Sequence, residues 1–168
     1  MVMRRNENLA ESLHDSLKTV HTRPLFIMRL DVRPILDVGD APRGHRRIGV
    51  VFGGVFEGDR LSGLVLDGGN DWQHVRHDGA VTLDVRLILR TDDDALITMV
   101  YHAIRHGPPD IVARIEKGEI VDPTTHYFRT APRFETAAHK YDWLNRILAV
   151  GTGQRSAQGV VYSVFELL

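Results

Sequence analysis

The sequence predicts an all-β fold, a single closed antiparallel β-barrel, and three observations carry that prediction. Apolar and polar residues alternate at period two along most of the chain. The links between the alternating runs are short, which pairs neighbouring strands antiparallel. Glycines recur inside the runs, at Gly49, Gly53, Gly54 and Gly63. Many short strands with little helix also fit a sandwich, but mid-strand glycines favour a curved, closing sheet. The length of 168 residues fits one domain. The barrel is expected over residues 23–168, preceded by a helix or arm over residues 1–22.

Leu9, Leu13, Leu17 and Val20 fall at helical spacing behind a capping Asn6 or Asn8. They read as a short amphipathic helix or arm covering one end of the domain. After His21 the period drops to two. Phe26, Met28, Leu30 and Val32 alternate with Ile27, Arg29, Asp31 and Arg33, a strand with one buried face. Arg47 to Glu57 is a second strand, whose paired Gly53 and Gly54 mark a bulge or bend. RLSGLVLDGG gives a third, and DWQHVRHDGAVTLDVRLILRT a hairpin turned at Asp78-Gly79. ALITMVYHAIR follows the acidic turn Asp92-Asp93-Asp94. YFRTAPRFET, YDWLNRILAVG and GVVYSVFELL complete the strands. Pro108 to Glu119 is the one main helix, with Pro109 in its tolerated first turn and Gly118 near its end.

Composition excludes several function classes. A formal net charge of −1 speaks against a nucleic-acid or anionic-membrane partner. No stretch approaches the ~20 apolar residues of a membrane helix, and the N-terminus lacks the apolar run of a secretory signal. A cytoplasmic protein is therefore expected. The absence of cysteine removes disulfides, thiolate metal sites and cysteine nucleophiles. Nine histidines include the pairs His74/His77 and His102/His106. Both pairs straddle a strand and a turn, where spacing fixes no ligand geometry, so no metal is expected. No organic cofactor is expected either. FGGVFEG lacks a following helix, and GTGQRSAQG lacks the P-loop lysine and reads as a hairpin loop. No GxSxG is present. The run Asp92-Asp93-Asp94 reads as a turn that accepts backbone hydrogen bonds.

Polar residues on strand faces supply the candidate site. In VTLDVRLILRT the odd positions from Val81 to Leu89 are apolar, which leaves Asp84 and Arg86 on the other face with Thr82 and Ile88. That face is either wet or lumenal, and the segment alone leaves both open. Tyr127, Arg129 and Ala131 share a face. Tyr141, Trp143 and Asn145 share one on the next expected strand. Such residues suit an apolar pocket with a few directed hydrogen bonds. The competing reading is an aromatic core with Arg129–Glu135 as a structural ion pair.

The motifs GGxFEG, DWQxVRxDG, RTDD and FRTxPRFET, at Gly53, Asp71, Arg90 and Phe128 onward, are together quite specific. From about Pro24 to Leu168 the chain resembles the bacterial and fungal domain-of-unknown-function family numbered 3237. The resemblance implies a single antiparallel β-barrel, similar in style to lipocalin or allene-oxide-cyclase barrels, and no established reaction. Carried over by position, the family pattern includes Asp71, Trp72, Asp84, Arg86, Thr91 to Asp93, Tyr127 to Arg129, Glu135, Trp143 and Asn145. Asp94 and Ala103 stand where that family commonly has glycine, which bears on turn geometry and strand curvature.

The expectation is a small-molecule-binding barrel, read as a cofactor-independent isomerase or lyase for a small organic acid or cyclic metabolite. Asp84 or Glu135 is the expected general base or acid, its pKa raised by an enclosed pocket. Arg86 or Arg129 is expected to hold an anionic or carbonyl oxygen, with Arg129 inside the pocket. Trp72, Tyr127 and Trp143 are its expected walls, and Asn145 a further ligand-binding group. Two alternatives stand beside this: a non-catalytic carrier on the same barrel, and a packed barrel acting as an interaction module. Homo-oligomerisation is left open.

Overall fold

The computed structural model describes residues 9–156 and 159–168. Its strands are β1 (Thr22–Val32), β2 (Leu36–Ala41), β3 (Gly44–Glu57), β4 (Gly63–Val65), β5 (Gly69–Val75), β6 (Val81–Thr91), β7 (Leu96–His106), β8 (Tyr127–Glu135), β9 (Ala149–Ser156) and β10 (Gly159–Leu167). Hydrogen bonding runs β1-β10-β9-β8-β7-β6-β4-β3, and pairing of β1 with β3 closes the ring. β5 continues the place of β4 between β3 and β6. The result is a closed eight-stranded antiparallel barrel, with β2 folded outside it onto the first half of β3.

The alternating sequence decides which side of each strand faces in. Val81, Leu83, Val85, Leu87 and Leu89 of β6 are buried, as are Ile97, Met99, Tyr101 and Ala103 of β7. Phe26, Met28, Val51, Phe56, Phe134 and Val164 join them in one continuous core. At roughly 1.5–3 kcal/mol for each large apolar side chain fully buried, this interior is the main stabilising term.

Gly54 allows the ring to close. A Cβ there would lie 2.3 Å from the Arg29 carbonyl oxygen, and its φ of +153° suits glycine. The expected bend at Gly53-Gly54 coincides with a register shift. Asp31 pairs Gly53 and Val32 pairs Val51, so Phe52 is the extra residue of a bulge. Above Val51, β3 leaves β1 and pairs with β2 and β5 instead.

The two ends of the barrel differ. At one end Glu166 accepts hydrogen bonds from Arg23 (2.9 and 3.1 Å) and from Arg60. Burial pushes its pKa up, but the two guanidiniums outweigh burial and hold it below the usual range. Arg60 also lies 4.0 Å over the Trp143 ring. Asp93 accepts from Lys140 (2.6 Å), Thr91 (2.6 Å) and Tyr141 (2.8 Å), and these bonds, Lys140's foremost, hold its carboxyl far below the usual range. The expected turn is found there, and Asp94 adopts φ +64°, which explains why glycine suits that position.

Three expectations need correction. YDWLNR is not strand but part of a 3-10 helix, His139–Arg146, with the next strand starting at Ala149. Its buried residues, Tyr141 and Leu144, stand three apart, the 3-10 period. β2 was not foreseen because it is short and largely exposed. Among its described residues the N-terminal segment forms α1 (Leu9–Ser12) and a 3-10 turn at Asp15–Leu17, and neither buries a residue. Asn6 and Asn8, expected as caps, lie outside the described residues, as do Ala157 and Gln158 of the expected hairpin loop. The main helix, α2 (Pro109–Glu116), is where the sequence puts it.

Candidate functional site

A cavity of about 440 Å³ opens at the end of the barrel opposite Glu166. β7 and β9 finish there, and β6, β8 and β10 begin. On β5, Asp71 pairs with inward-facing Val85 and Gln73 with inward-facing Leu83, so both polar side chains point into the lumen. Arg47 of β3 pairs with Gln73 and shares that side. On β7 the buried row Ile97, Met99, Tyr101, Ala103 continues to Arg105, which reaches the cavity. Arg155 of β9 and Tyr162 of β10 complete the wall.

The aromatic part of the wall is packed edge to face. Tyr162 lies 5.6 Å from Tyr101 and 5.6 Å from Phe128, centroid to centroid. Gly153 makes room for it, since a Cβ there would meet the Phe128 ring at 2.6 Å. The Tyr101 hydroxyl is buried without a hydrogen bond of normal geometry. Burial raises the pKa of both phenols, so both stay protonated donors at neutral pH.

The polar groups are unevenly satisfied. Gln73 donates to Asp71 Oδ2 (2.7 Å), while Asp71 Oδ1 is buried with no partner. Burial pushes the Asp71 pKa up to about 6, against the opposing pull of that hydrogen bond and of Arg105 and Arg47. Arg47 Nη1 donates to Glu116 of α2 (2.9 Å), but its Nε and Nη2 are buried and unpartnered. Arg105 has no carboxylate within ion-pair distance among the described residues, and burial together with the nearby Arg47 lowers its pKa. Unpartnered buried donors are costly. Arg47 carries them beside its pairing partner Gln73, while Arg105 lines the empty volume itself, together with a carboxyl whose pKa burial raises to about 6. Such a site can hold an anion and move a proton.

The residues singled out from the sequence are not in this cavity. Trp72, Asp84 and Arg86 gather in a groove on the outer face of β3, β5 and β6, where Trp72 is 52% exposed. Asp84 and Arg86 point outward because their neighbours on β6 fill the lumen, and the two stand 3.8 Å apart. Tyr127 and Arg129 line a second outer groove, across β7 to β9, with the Arg129 guanidinium 5.1 Å over the Tyr127 ring. Glu135 is exposed at the far end of β8 and does not pair with Arg129; as alternate strand residues six apart, they are well separated. Asn145 bonds both the N–H (2.8 Å) and the carbonyl (2.9 Å) of Thr136, and Trp143 stacks under Arg60, so both serve closure of the far end. The expectation of Arg129 inside a pocket with Glu135 or Asp84 is therefore corrected. The strand phase is set by the larger apolar row, and these residues lie in the opposite phase.

The cavity residues did leave a signal. Arg105 is the one charged residue at the end of an otherwise apolar row on β7, and Asp71 and Gln73 share the phase of Gly69 and Val75. Among the described residues, no group of three or more His, Asp or Glu could hold a metal ion. No helix of these residues is long and apolar enough to cross a membrane.

Comparison with known proteins gives one family. The model of the family described as "Protein of unknown function (DUF3237)" matches residues 20–167. A UPF0311 protein of Rhodopseudomonas palustris is 36% identical over 150 residues, covering 89% of this chain and 98% of its own. The crystal structure of that organism's conserved protein of unknown function superposes with a TM-score of 0.86 at 36% identity, over 89% of this chain and 99% of the other. A β-barrel-like protein from Acinetobacter baumannii does so with 0.78 at 37%, over 89% and 97%. An enzyme from Penicillium herquei shares the fold, with a TM-score of 0.68 at 19% identity, over 89% and 95%. With the family pattern spanning nearly the whole barrel and relatives at this identity, the chain belongs to the DUF3237 family.

Proposed function

We propose that the protein binds a small organic anion in the mouth of the barrel and uses Asp71 as a general acid–base, without a cofactor. One observation carries the reading: a buried carboxyl, its pKa raised to about 6 and its Oδ1 without a partner, opens on the same cavity as Arg105, which has no carboxylate within ion-pair distance among the described residues. Arg105 and Arg47 supply planar donors for a carboxylate. Asp71 is poised to take or give a proton near neutral pH. The reaction class that fits is an isomerisation or elimination through proton transfer. The Penicillium herquei enzyme that shares this fold supports a catalytic reading of the barrel. The cavity counts against a fully packed barrel acting as an interaction module. A carrier would use the same cavity and would differ in lacking turnover.

A thermal-shift panel of small carboxylates tests the binding. A ligand at about a hundred times its Kd stabilises the folded state by about 2.7 kcal/mol. That stabilisation should vanish in Arg105→Met and persist in Arg129→Met. Equal stabilisation of wild type and Arg105→Met would remove the anion site from the mouth.

A further inference from the structure

The placement of the cavity groups also narrows the reaction, resting on the anion-binding reading above. Asp71, Val85 and Tyr101 are successive partners across β5, β6 and β7. With strands about 4.8 Å apart, the Asp71 and Tyr101 backbones stand roughly 10 Å apart with both side chains in the lumen. The carboxyl and the phenol can therefore meet opposite sides of one small group above Val85. Arg47 lies two residues from Gly49, the β3 partner of Asp71, and Arg105 lies four residues from Tyr101. At about 3.3 Å per residue, these guanidiniums are rooted roughly 7 and 13 Å further along their strands towards the opening. A ligand anchored on them carries its charge at the mouth and its uncharged end between Asp71 and the phenols.

We propose that the protein enolises a keto acid whose ketone is separated from its carboxylate by a short carbon spacer, with Asp71 as base and the Tyr101–Tyr162 pair as donors to the enolate oxygen. The Asp71 carboxylate takes a proton from the carbon beside the ketone. The C–H electron pair becomes the C=C bond, and the C=O π pair moves onto oxygen, where the phenol O–H groups hold it. Asp71 then returns the proton to the same or a conjugated carbon, so no oxidant or reductant is needed. The Tyr101 hydroxyl, buried against that of Tyr162 with no hydrogen bond of normal geometry, is what such a donor looks like before its acceptor arrives. The raised pKa of both phenols keeps them donors rather than phenolates.

The probe is levulinate, a keto acid with such a spacer, incubated with the protein in D₂O and followed by proton NMR. Wild type should speed exchange of the protons beside the ketone, and Asp71→Asn should abolish the effect. Tyr101→Phe, Tyr162→Phe or both should lower the maximal exchange rate by roughly 100–1,000-fold, with the half-saturating levulinate concentration nearly unchanged. Arg105→Met should instead raise that concentration. Thermal unfolding of each variant separates lost folding from lost chemistry, and since the Tyr101 hydroxyl makes no hydrogen bond of normal geometry, Tyr101→Phe should unfold close to wild type. If levulinate stabilises wild type but exchanges no faster than in buffer, enolisation is overturned while anion binding stands; if both tyrosine variants exchange at the accelerated wild-type rate, the phenols' part in the proposal is overturned. If levulinate neither binds nor exchanges, enolisation of such keto acids is overturned, and the carboxylate panel decides the binding reading by itself.

Discussion

Replacing Asp71 by asparagine should make the protein more stable above neutral pH, and the size of the gain follows from the site. Burial raises the Asp71 pKa from 3.8 to about 6. The unfolded chain therefore releases this proton more readily than the folded one. A carboxyl raised in this way contributes its full share below about pH 4, and that share is lost as pH rises through about 6. At about 1.4 kcal/mol per pH unit, the cost of holding Asp71 ionised in the folded protein is on the order of 3 kcal/mol. Asparagine keeps the shape and bears no charge. Urea unfolding of wild type and Asp71→Asn from about pH 4 to about pH 8 is the assay. The two curves should converge at the acid end and separate as pH rises, with the variant above. For a chain of this size the difference corresponds to about 2–4 °C in Tm per kcal/mol. Parallel curves, or a variant less stable at the alkaline end, would refute the picture of a desolvated carboxyl kept for function at the expense of stability.

Gly153→Val should cost about 1–3 kcal/mol, because its side chain runs into the Phe128 ring; it should also weaken carboxylate-induced stabilisation, read by thermal shift. Arg129→Met and Glu135→Gln, on exposed strand faces, should each change stability by no more than about 0.5 kcal/mol and leave carboxylate binding at the wild-type level by calorimetry. Asn145→Ala should cost about 1–3 kcal/mol in chemical denaturation, since it strips partners from both the N–H and the carbonyl of Thr136.

The barrel was legible because its signal is repeated in nearly every strand. The row Val81 to Leu89 marks the inner face of β6, and the glycines at 53 and 54 mark the bend where β3 meets β1. The segment Tyr141 to Asn145 misled because its polar and apolar residues fit period two as well as period three, and only its contacts with Asp93 and Thr136 select the helix. The site was harder to read for a related reason. Strand phase says which residues share a face, but the side that becomes lumen depends on closure, a property of all the strands together. Asp84 and Arg86 drew attention by being charged within an apolar strand, yet charge in that phase is what an outer surface carries. Arg105 and Asp71 were the informative residues, being charged in the phase of the core. Tyr101 could not be told from an ordinary core aromatic, because its unmatched hydroxyl is visible only once its neighbours are placed.

The parting of β3 from β1 above Val51 bears on how large a guest the barrel can admit and how fast it lets go. In most of the wall, widening the mouth would mean stretching strands paired on both flanks. Along this seam the hydrogen bonding to β3 is held at two anchors, the Arg33 N–H donating to the Val50 carbonyl (2.9 Å) and the Leu36–Ile48 pairing where β2 begins. Between them Pro34 has no N–H to donate, and it lines the cavity with Ile35. A guest in the proposed anion site would press on this short tethered span, so its girth should be accommodated by the loss of one or two hydrogen bonds rather than by unfolding. Hydrogen exchange at the Arg33 amide should then be faster with a bulky carboxylate bound than with a small one.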